Sequence, residues 1–389
     1  MTDDPPFHPA LLPAGLRDLL PPDAEAEAAA VQGLMDSFAA HGYQRVKPPL
    51  LEFEVSLLAG SGAAVADQTF RLMDPETRRM MGLRADMTPQ VARIATTRLS
   101  HAARPLRLSY AGQCLRVQGS QIAPDRQVAQ AGIELIGPDG PEADAEIVLV
   151  AAEALAGLGL GRLSYDLTMP PLVPTLLDEA GFEPGQRASL GRALDRKDAA
   201  AVQARGGALA GTLTDLLLAA GPARRALDAL RAASLTPAAR RHAERLTDTV
   251  AAIQARAPAL KLTVDPVEFR GFKYHTGVSL SVFAPGRHEE LGRGGRYVCG
   301  ESDAGSGAAG EPATGVTLYP DAVLRALPRP VARPRLYLPP GTDPARAAAL
   351  RAAGFATVAG FDPADPVAAA RAQACTHVLS DGEPVAVAE

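Results

Sequence analysis

Tryptophan is absent from the 389 residues, and all aromatics together make up 4% of them. So thin an aromatic complement argues against the stacking platforms that hold single-stranded nucleic acid base by base. Basic charge is not in excess either. Thirty-nine Lys and Arg face 44 Asp and Glu, for a formal net charge of −5 and a pI of ≈ 5.9. A chain whose main task is gripping RNA or DNA carries a basic footprint, and the average shows none. The three cysteines, Cys114, Cys299 and Cys375, form no CxxC pair and no zinc-ligand spacing. They are expected to be small buried apolar residues, and no metal is expected. Long hydrophobic runs are missing. The longest, near Ile147 to Leu160, is interrupted by Glu153 and falls short of the roughly 20 residues that cross a bilayer. Met1 to Ala10 carries two Asp and no apolar core of a signal peptide, so a cytoplasmic location and no membrane partner are expected. What is abundant is apolar residues, 47% of the chain, enough for two or three domains with a sizeable core.

Pro21-Pro22 leads into a helix on which Val31, Leu34, Met35 and Phe38 share a face, with Gly42 as its stop. Tyr43 to Leu50 reads as a short strand ended by prolines. Met81 to Pro89 reads as a strand entering a helix, with Thr88 at the N-cap, Pro89 at the first helical position and Val91, Ile94 and Ala95 on the buried side. Leu106–Val117 and Gln127–Ile136 read as an antiparallel hairpin closed by the loop 118–126. Residues 171–261 turn rich in Ala, Leu and Arg, the texture of a helical insertion, with Leu246, Val250 and Ile253 on one face. Strand-like texture returns over Leu262–Phe283. A Gly-rich stretch, Leu291 to Tyr297, follows; it lacks the Lys-Ser/Thr of a phosphate loop. Residues 301–311 are expected to be a mobile loop and 328–334 a linker. The remainder alternates strand and helix: strands at 336–338, 356–359 and 377–379, helices at 345–352 and 367–373. This gives an α+β chain in three parts: residues 1–170 with 262–327, the helical insertion 171–261, and a small α/β segment, 328–389.

On one face of the hairpin, period-2 alternation groups Tyr110, Cys114 and Arg116, and likewise Gln130, Gly132 and Glu134. Glu134, between Ile133 and Leu135, is expected to be buried and to need a cationic or N–H partner. With Asp86 at the strand–helix turn and Arg270 beside Gly271, the chain offers two acids, two guanidinium groups and an amide. Such a set suits a zwitterion, acids for an ammonium or ring N–H and arginines for a carboxylate or phosphate.

These residues stand in an order that resembles the catalytic domain of histidyl-tRNA synthetases, a class II fold built on an antiparallel sheet. His41-Gly42-Tyr43 to Pro48 is similar to the first class motif, which builds a dimer interface. Leu83-Arg84-Ala85-Asp86-Met87-Thr88 resembles "LRPEGT", with Asp86 at the amino-group-binding Glu. Cys114 to Gln118 resembles the second motif. Arg126-Gln127-Val128-Ala129-Gln130 resembles "RQFHQ", with Glu134 at the family spacing. Arg270-Gly271-Phe272-Lys273-Tyr274-His275 resembles "RGLDYY", and Gly294-Gly295-Arg296-Tyr297 matches "GGRY".

The departures are as informative. Gln118 stands at the adenine-binding Glu of the second motif. The third-motif Arg that clamps ATP phosphates falls at Ala322, and bulky Tyr319 occupies a position of small residues. Losing that charge removes on the order of several kcal/mol of transition-state stabilisation. Lys273 and His275 replace an Asp and a Tyr, and the C-terminal part is short for an anticodon-binding domain. A pocket kept, an ATP apparatus damaged and a tRNA domain truncated resemble the regulatory-subunit family of ATP phosphoribosyltransferase, synthetase-like paralogues. The resemblance implies a non-catalytic subunit, with no catalytic residue and no cofactor of its own. Its partner would be the short-form catalytic subunit, joined by a homodimer of this chain in a hetero-oligomer. It would confer activity and histidine feedback on the first step of histidine biosynthesis, without tRNA. The histidine-like pocket it implies comprises Asp86, Thr88, Arg116, Gln130, Glu134, Arg270, Tyr274 and His275. An active, divergent histidyl-tRNA synthetase is the alternative.

Overall fold

The structure, a computed structural model, describes residues 11–119, 123–268, 274–300, 310–328, 332–362 and 365–387. It divides into two compact units, Met1–Pro328 and Arg329–Glu389. Residues 301–309 of the expected loop and 329–331 of the expected linker lie outside the described residues, as do Arg270 and Lys273.

The first unit opens with helix α1 (Asp23–Ala40), which buries Ala30, Leu34, Met35 and Phe38. It ends where expected. Gly42 takes φ +81°, its N–H reaches the Ala39 carbonyl at 2.9 Å and the Tyr43 N–H reaches the Phe38 carbonyl at 3.1 Å. That pair of bonds satisfies the last carbonyls through a left-handed residue that only glycine adopts without strain. Then come β1 (Gln44–Arg45), β2 (Leu51–Phe53), the single turn α2 (Glu54–Leu57), β3 (Arg71–Met73), β4 (Met80–Leu83) and α3 (Thr88–Thr97). The expected strand over 43–50 is thus only two residues long. Thr88 is not the cap of α3 but its first helical residue; the side chain that accepts the Thr88 N–H, at 2.8 Å, is Asp86.

The hairpin follows as β5 (Leu106–Leu115) and β6 (Gln127–Ile136), then α4 (Pro141–Gly157) and β7 (Ser164–Thr168). Helices α5 (Leu172–Glu179), α6 (Pro184–Asp195), α7 (Ala199–Arg205) and α8 (Ala210–Ala219) come next, then the two-residue strand β8 (Gly221–Pro222), α9 (Ala223–Ala232) and α10 (Pro237–Arg256). The sheet strands continue with β9 (Lys261–Asp265), β10 (Ser279–Phe283), β11 (Glu290–Cys299) and β12 (Glu311–Leu318), and the unit ends on α11 (Pro320–Ala326). The Gly-rich stretch is therefore a strand.

Nine strands form one sheet in the order β1-β5-β6-β12-β11-β10-β7-β9-β8, and β2-β4-β3 form a separate small sheet. From β5 to β7 every neighbouring pair is antiparallel. β7 and β9 pair in parallel, and the helices α5–α10 supply the crossover that such a pair requires. Helices α1, α4 and α10 and the leucines of the helical region pack on one face of this sheet into the largest apolar cluster. A second cluster, built around Val91, Ala95, Leu108 and Tyr110, lies under α3.

The second unit is a four-stranded sheet in the order β14-β13-β15-β16, from β13 (Arg335–Leu338), β14 (Ala356–Ala359), β15 (His377–Ser380) and β16 (Glu383–Ala386). Helices α12 (Pro344–Ala352) and α13 (Pro366–Ala372) begin alike. Asp343 and Asp365 accept the first free N–H groups and are followed by Pro at the first helical position, a cap and start that fix where each helix can begin. Leu336 and Leu338 pack with Leu350 in one apolar cluster, while Tyr337 packs with Ala370 in another.

Candidate functional site

The hairpin register places Gln130 opposite Gly112, Gly132 opposite Tyr110, and Glu134 opposite Gly315 on β12. Gly315 and Gly132 leave room for their neighbours. A Cβ at 315 would collide with the Glu134 carboxyl, and one at 132 would meet the Tyr110 hydroxyl at 2.5 Å. Glu134 is 1% exposed. The partners of its carboxyl are hydroxyls, Tyr297 at 2.9 Å and Tyr110 at 3.3 Å, rather than the expected cation or N–H group. Burial pushes the Glu134 carboxyl up to about 8, against hydrogen bonds from Tyr297, Thr88 and Tyr110 that pull it down; nearby Asp86 pushes in the same direction as burial. A carboxyl in this setting is held mainly as the neutral acid at pH 7. Tyr110 extends the chain of hydroxyls to Thr317 at 2.7 Å and Thr88 at 3.3 Å.

Gln130 is fully buried and its amide is committed. Its Oε1 accepts the Met87 N–H at 3.0 Å and the Cys114 thiol at 3.2 Å, and its Nε2 lies 3.5 Å from Asp86 Oδ2. Gln130 lines none of the three cavities in front of this layer; it sets the turn that aims Asp86. All three cysteines are buried and free, as expected, and no cluster among the described residues could hold a metal ion.

Three adjoining cavities lie in front of this layer. A middle one of about 190 Å³ is lined by Asp86, Thr88, Arg116, Tyr274, Arg293 and Tyr319, with Ser61 to Gln68 across from them. An inner one of about 30 Å³ touches Glu134, His275, Tyr297 and Thr317, space for about one water molecule. His275 is buried and packs edge-on to Tyr274 with ring centroids 4.4 Å apart. Burial, with Arg293 nearby, lowers the imidazole to about 3, so His275 is a neutral ring at any physiological pH. An outer cavity of about 450 Å³ is bounded by Arg116, Arg293, Tyr319, Ala322 and Arg325, together with Asp125, Glu289, Glu290 and Asp321. Carboxylates outnumber guanidinium groups there. Arg325 is bound by Glu289, with Nε at 2.9 Å, and Arg293 meets Glu290 at 3.2 Å. Arg116 makes no ion pair among the described residues.

The structure thus gathers Asp86, Thr88, Arg116, Tyr274, His275 and Glu134 around connected cavities, with Gln130 directly behind them. Arg293 was missed, although it borders all three compartments. Alternation along β11 would have found it, since Arg293, Gly295 and Tyr297 share one face. The arginine that the "GGRY" match draws attention to, Arg296, faces the other way and is bound to Asp144 at 2.8 Å.

A histidyl-tRNA synthetase family profile matches residues 15–323. A protein of Paramagnetospirillum magneticum named ATP phosphoribosyltransferase regulatory subunit is 57% identical over 371 residues, covering 95% of this chain and 96% of that one. One of the same name from Rhodospirillum centenum is 54% identical over 385 residues, covering 98% of both. This chain belongs to the ATP phosphoribosyltransferase regulatory subunits. It is a regulatory rather than a catalytic subunit on the histidyl-tRNA synthetase-like scaffold. A solved structure described as an ATP phosphoribosyltransferase regulatory subunit/histidyl-tRNA synthetase, from Bacillus halodurans C, superposes with TM-score 0.78 at 24% identity, over 97% of this chain and 99% of that one. The likeness establishes the class II synthetase-like α+β fold. Ala322 is 2% exposed at the wall of the outer cavity, where the resemblance places a phosphate-clamping arginine.

Proposed function

We propose that this chain joins the short-form catalytic subunit of ATP phosphoribosyltransferase, supports its activity and brings histidine feedback to the first step of histidine biosynthesis. It works in the cytoplasm, as a homodimer within a hetero-oligomer, and without tRNA. The observation that carries the ligand half of this reading is the middle cavity. Its lining brings together Asp86, which can receive an ammonium, and Arg116, which makes no ion pair among the described residues and can receive a carboxylate. The histidine ring points toward Glu134. An imidazole is larger than the space for about one water now open there, so Tyr274 and His275 must shift to admit it. That shift is a natural origin for a signal to a partner.

The outer cavity opposes a nucleotide, because four carboxylates face three arginines and two of those arginines are already engaged. Phosphoryl-group binding depends on arranged positive charge. The test is co-purification with the short catalytic subunit, followed by an activity assay with and without histidine. Stable association, activation by this chain and inhibition by histidine are expected. Independent elution of the two proteins at micromolar concentration, or histidine-dependent pyrophosphate exchange at synthetase rates by this chain alone, would overturn the proposal.

A further inference from the structure

Three side chains border both the middle and the outer cavity: Arg116, Arg293 and Tyr319. Tyr319 cannot easily leave. Its backbone N–H donates to the Leu291 carbonyl at 2.8 Å, its own carbonyl accepts the Val323 N–H at 3.0 Å, and Pro320 behind it opens α11. Asp321, two residues on, accepts the Ala129 N–H at 3.0 Å. The backbone is therefore tied to β11, α11 and β6 at once, and the phenol lines both cavities together with the Arg116 and Arg293 guanidinium groups. Burial pushes that phenol up to about 12 even though Arg293 and Arg116 pull it down, so it stands there as a neutral, bulky wall.

We infer that Tyr319 is the specificity-determining residue that excludes α-amino acids carrying a bulky group on the carboxyl, closing the pocket just beyond the ligand carboxylate. The inference rests on the amino-acid reading of the pocket and adds which molecules are refused. An amino acid whose carboxyl carries a large substituent would have to thread between Arg116 and Arg293 through the space that the phenol fills. A small neutral substituent loses only the carboxylate charge. Rejection by an occupied volume is specificity by clash.

The test separates size from charge. Binding of histidine, histidine methyl ester and histidine benzyl ester is measured by calorimetry on the wild-type chain, Tyr319→Ala and Tyr319→Phe. Both esters lack the negative charge, so their ratio reports space alone. The wild type is expected to bind the benzyl ester about tenfold or more weakly than the methyl ester, the scale of a steric misfit. The ratio should fall to about one in Tyr319→Ala and stay near the wild-type value in Tyr319→Phe, which keeps the ring. Equal binding of the two esters by the wild type, or an unchanged ratio in a Tyr319→Ala protein that still binds histidine, overturns the inference and leaves the amino-acid reading standing. Absence of histidine binding by the wild type overturns both.

Discussion

Arg293 and Arg296 lie three residues apart on β11, and the sheet sends them to opposite sides. Behind the sheet, Arg296 is 4% exposed. Its Nε and Nη2 hold Asp144 at 2.9 and 2.8 Å, its Nη1 donates to the Pro138 carbonyl at 3.1 Å, and Asp144 is shared with Arg245 of α10 at 3.2 Å. In front, Arg293 has Glu290 at 3.2 Å and borders every compartment of the pocket. One strand thus carries the same side chain in two roles. On the rear face its charge is consumed by a closed network that seats α4 and α10 on the sheet. On the front face it borders a space that a ligand can share. Which role an arginine takes follows from the parity of its position on the strand and from whether its partners already satisfy it.

The widest gap between the two faces should appear in folding stability. Asp144→Ala leaves a buried guanidinium without its carboxylate, a change that costs about 3–5 kcal/mol. Arg293→Ala on the cavity side should cost about 1 kcal/mol or less, as for partly solvated pairs. Urea unfolding of both variants checks the contrast, and equal losses would erase it.

The next effect is a pH dependence confined to the front face. Burial holds the Glu134 carboxyl up at about 8 in the fold, well above the ordinary glutamate value of about 4.5. The folded chain therefore binds the extra proton across that interval. Its stability falls as pH rises from about 4.5 to about 8 and levels off above, since stability declines wherever the native state holds more protons. Glu134→Gln, which cannot ionise, should lose this component of the slope in urea midpoints recorded against pH. Parallel wild-type and variant curves would refute the assignment.

Ligand binding comes third. Asp86→Ala removes the acid aimed at the ligand ammonium, and losing one side of a charged hydrogen bond costs about 1.5–3 kcal/mol. Histidine binding measured by calorimetry should weaken roughly ten- to a hundredfold, while Asp144→Ala examined at low denaturant, where it remains folded, should change affinity far less. The smallest effect belongs to the rim of the outer cavity. A double-mutant cycle on Arg325 and Glu289, both partly exposed, should give a coupling of about 1 kcal/mol or less that salt diminishes.

Much of the front face was legible from residue order. The alternation of Gln130, Gly132 and Glu134 survives in a strand that spans Gln127–Ile136 as read, because a half-buried hairpin enforces a period of two. Gly42 was legible because a helix end needs a left-handed residue. What escaped notice has a common cause in close backbone approach. The glycines that make 291–297 look like a loop are there because β11 lies hard against its neighbours: a Cβ at 294 would strike the Gly315 carbonyl. Small side chains that serve packing look like turn residues when read singly, and so Arg293 went unremarked between them. Glu134's partners were misjudged for another reason. Two tyrosines distant in sequence supply hydroxyls to a neutral acid, and nothing local to Ile133-Glu134-Leu135 announces them. β2, β3 and β16, each of three or four residues, are too short to carry a period at all.

The parallel pairing of β7 with β9, with Thr168 opposite Asp265, has a consequence for how the chain tolerates change. The polypeptide leaves the sheet at β7 and returns at its immediate neighbour β9, touching the sheet in between through the two-residue edge strand β8, so the helices on either side of β8 are a detour with a fixed exit and a fixed entrance. Closing a detour costs only slowly more as it lengthens. The sheet and the pocket before it therefore place little constraint on how many residues run between Leu172 and Arg256. The docking of α10 through Arg245 onto Asp144 is what such a detour has to preserve, and a lineage that lengthened, shortened or recast the other helices would leave Asp86, Arg116 and Glu134 where they are.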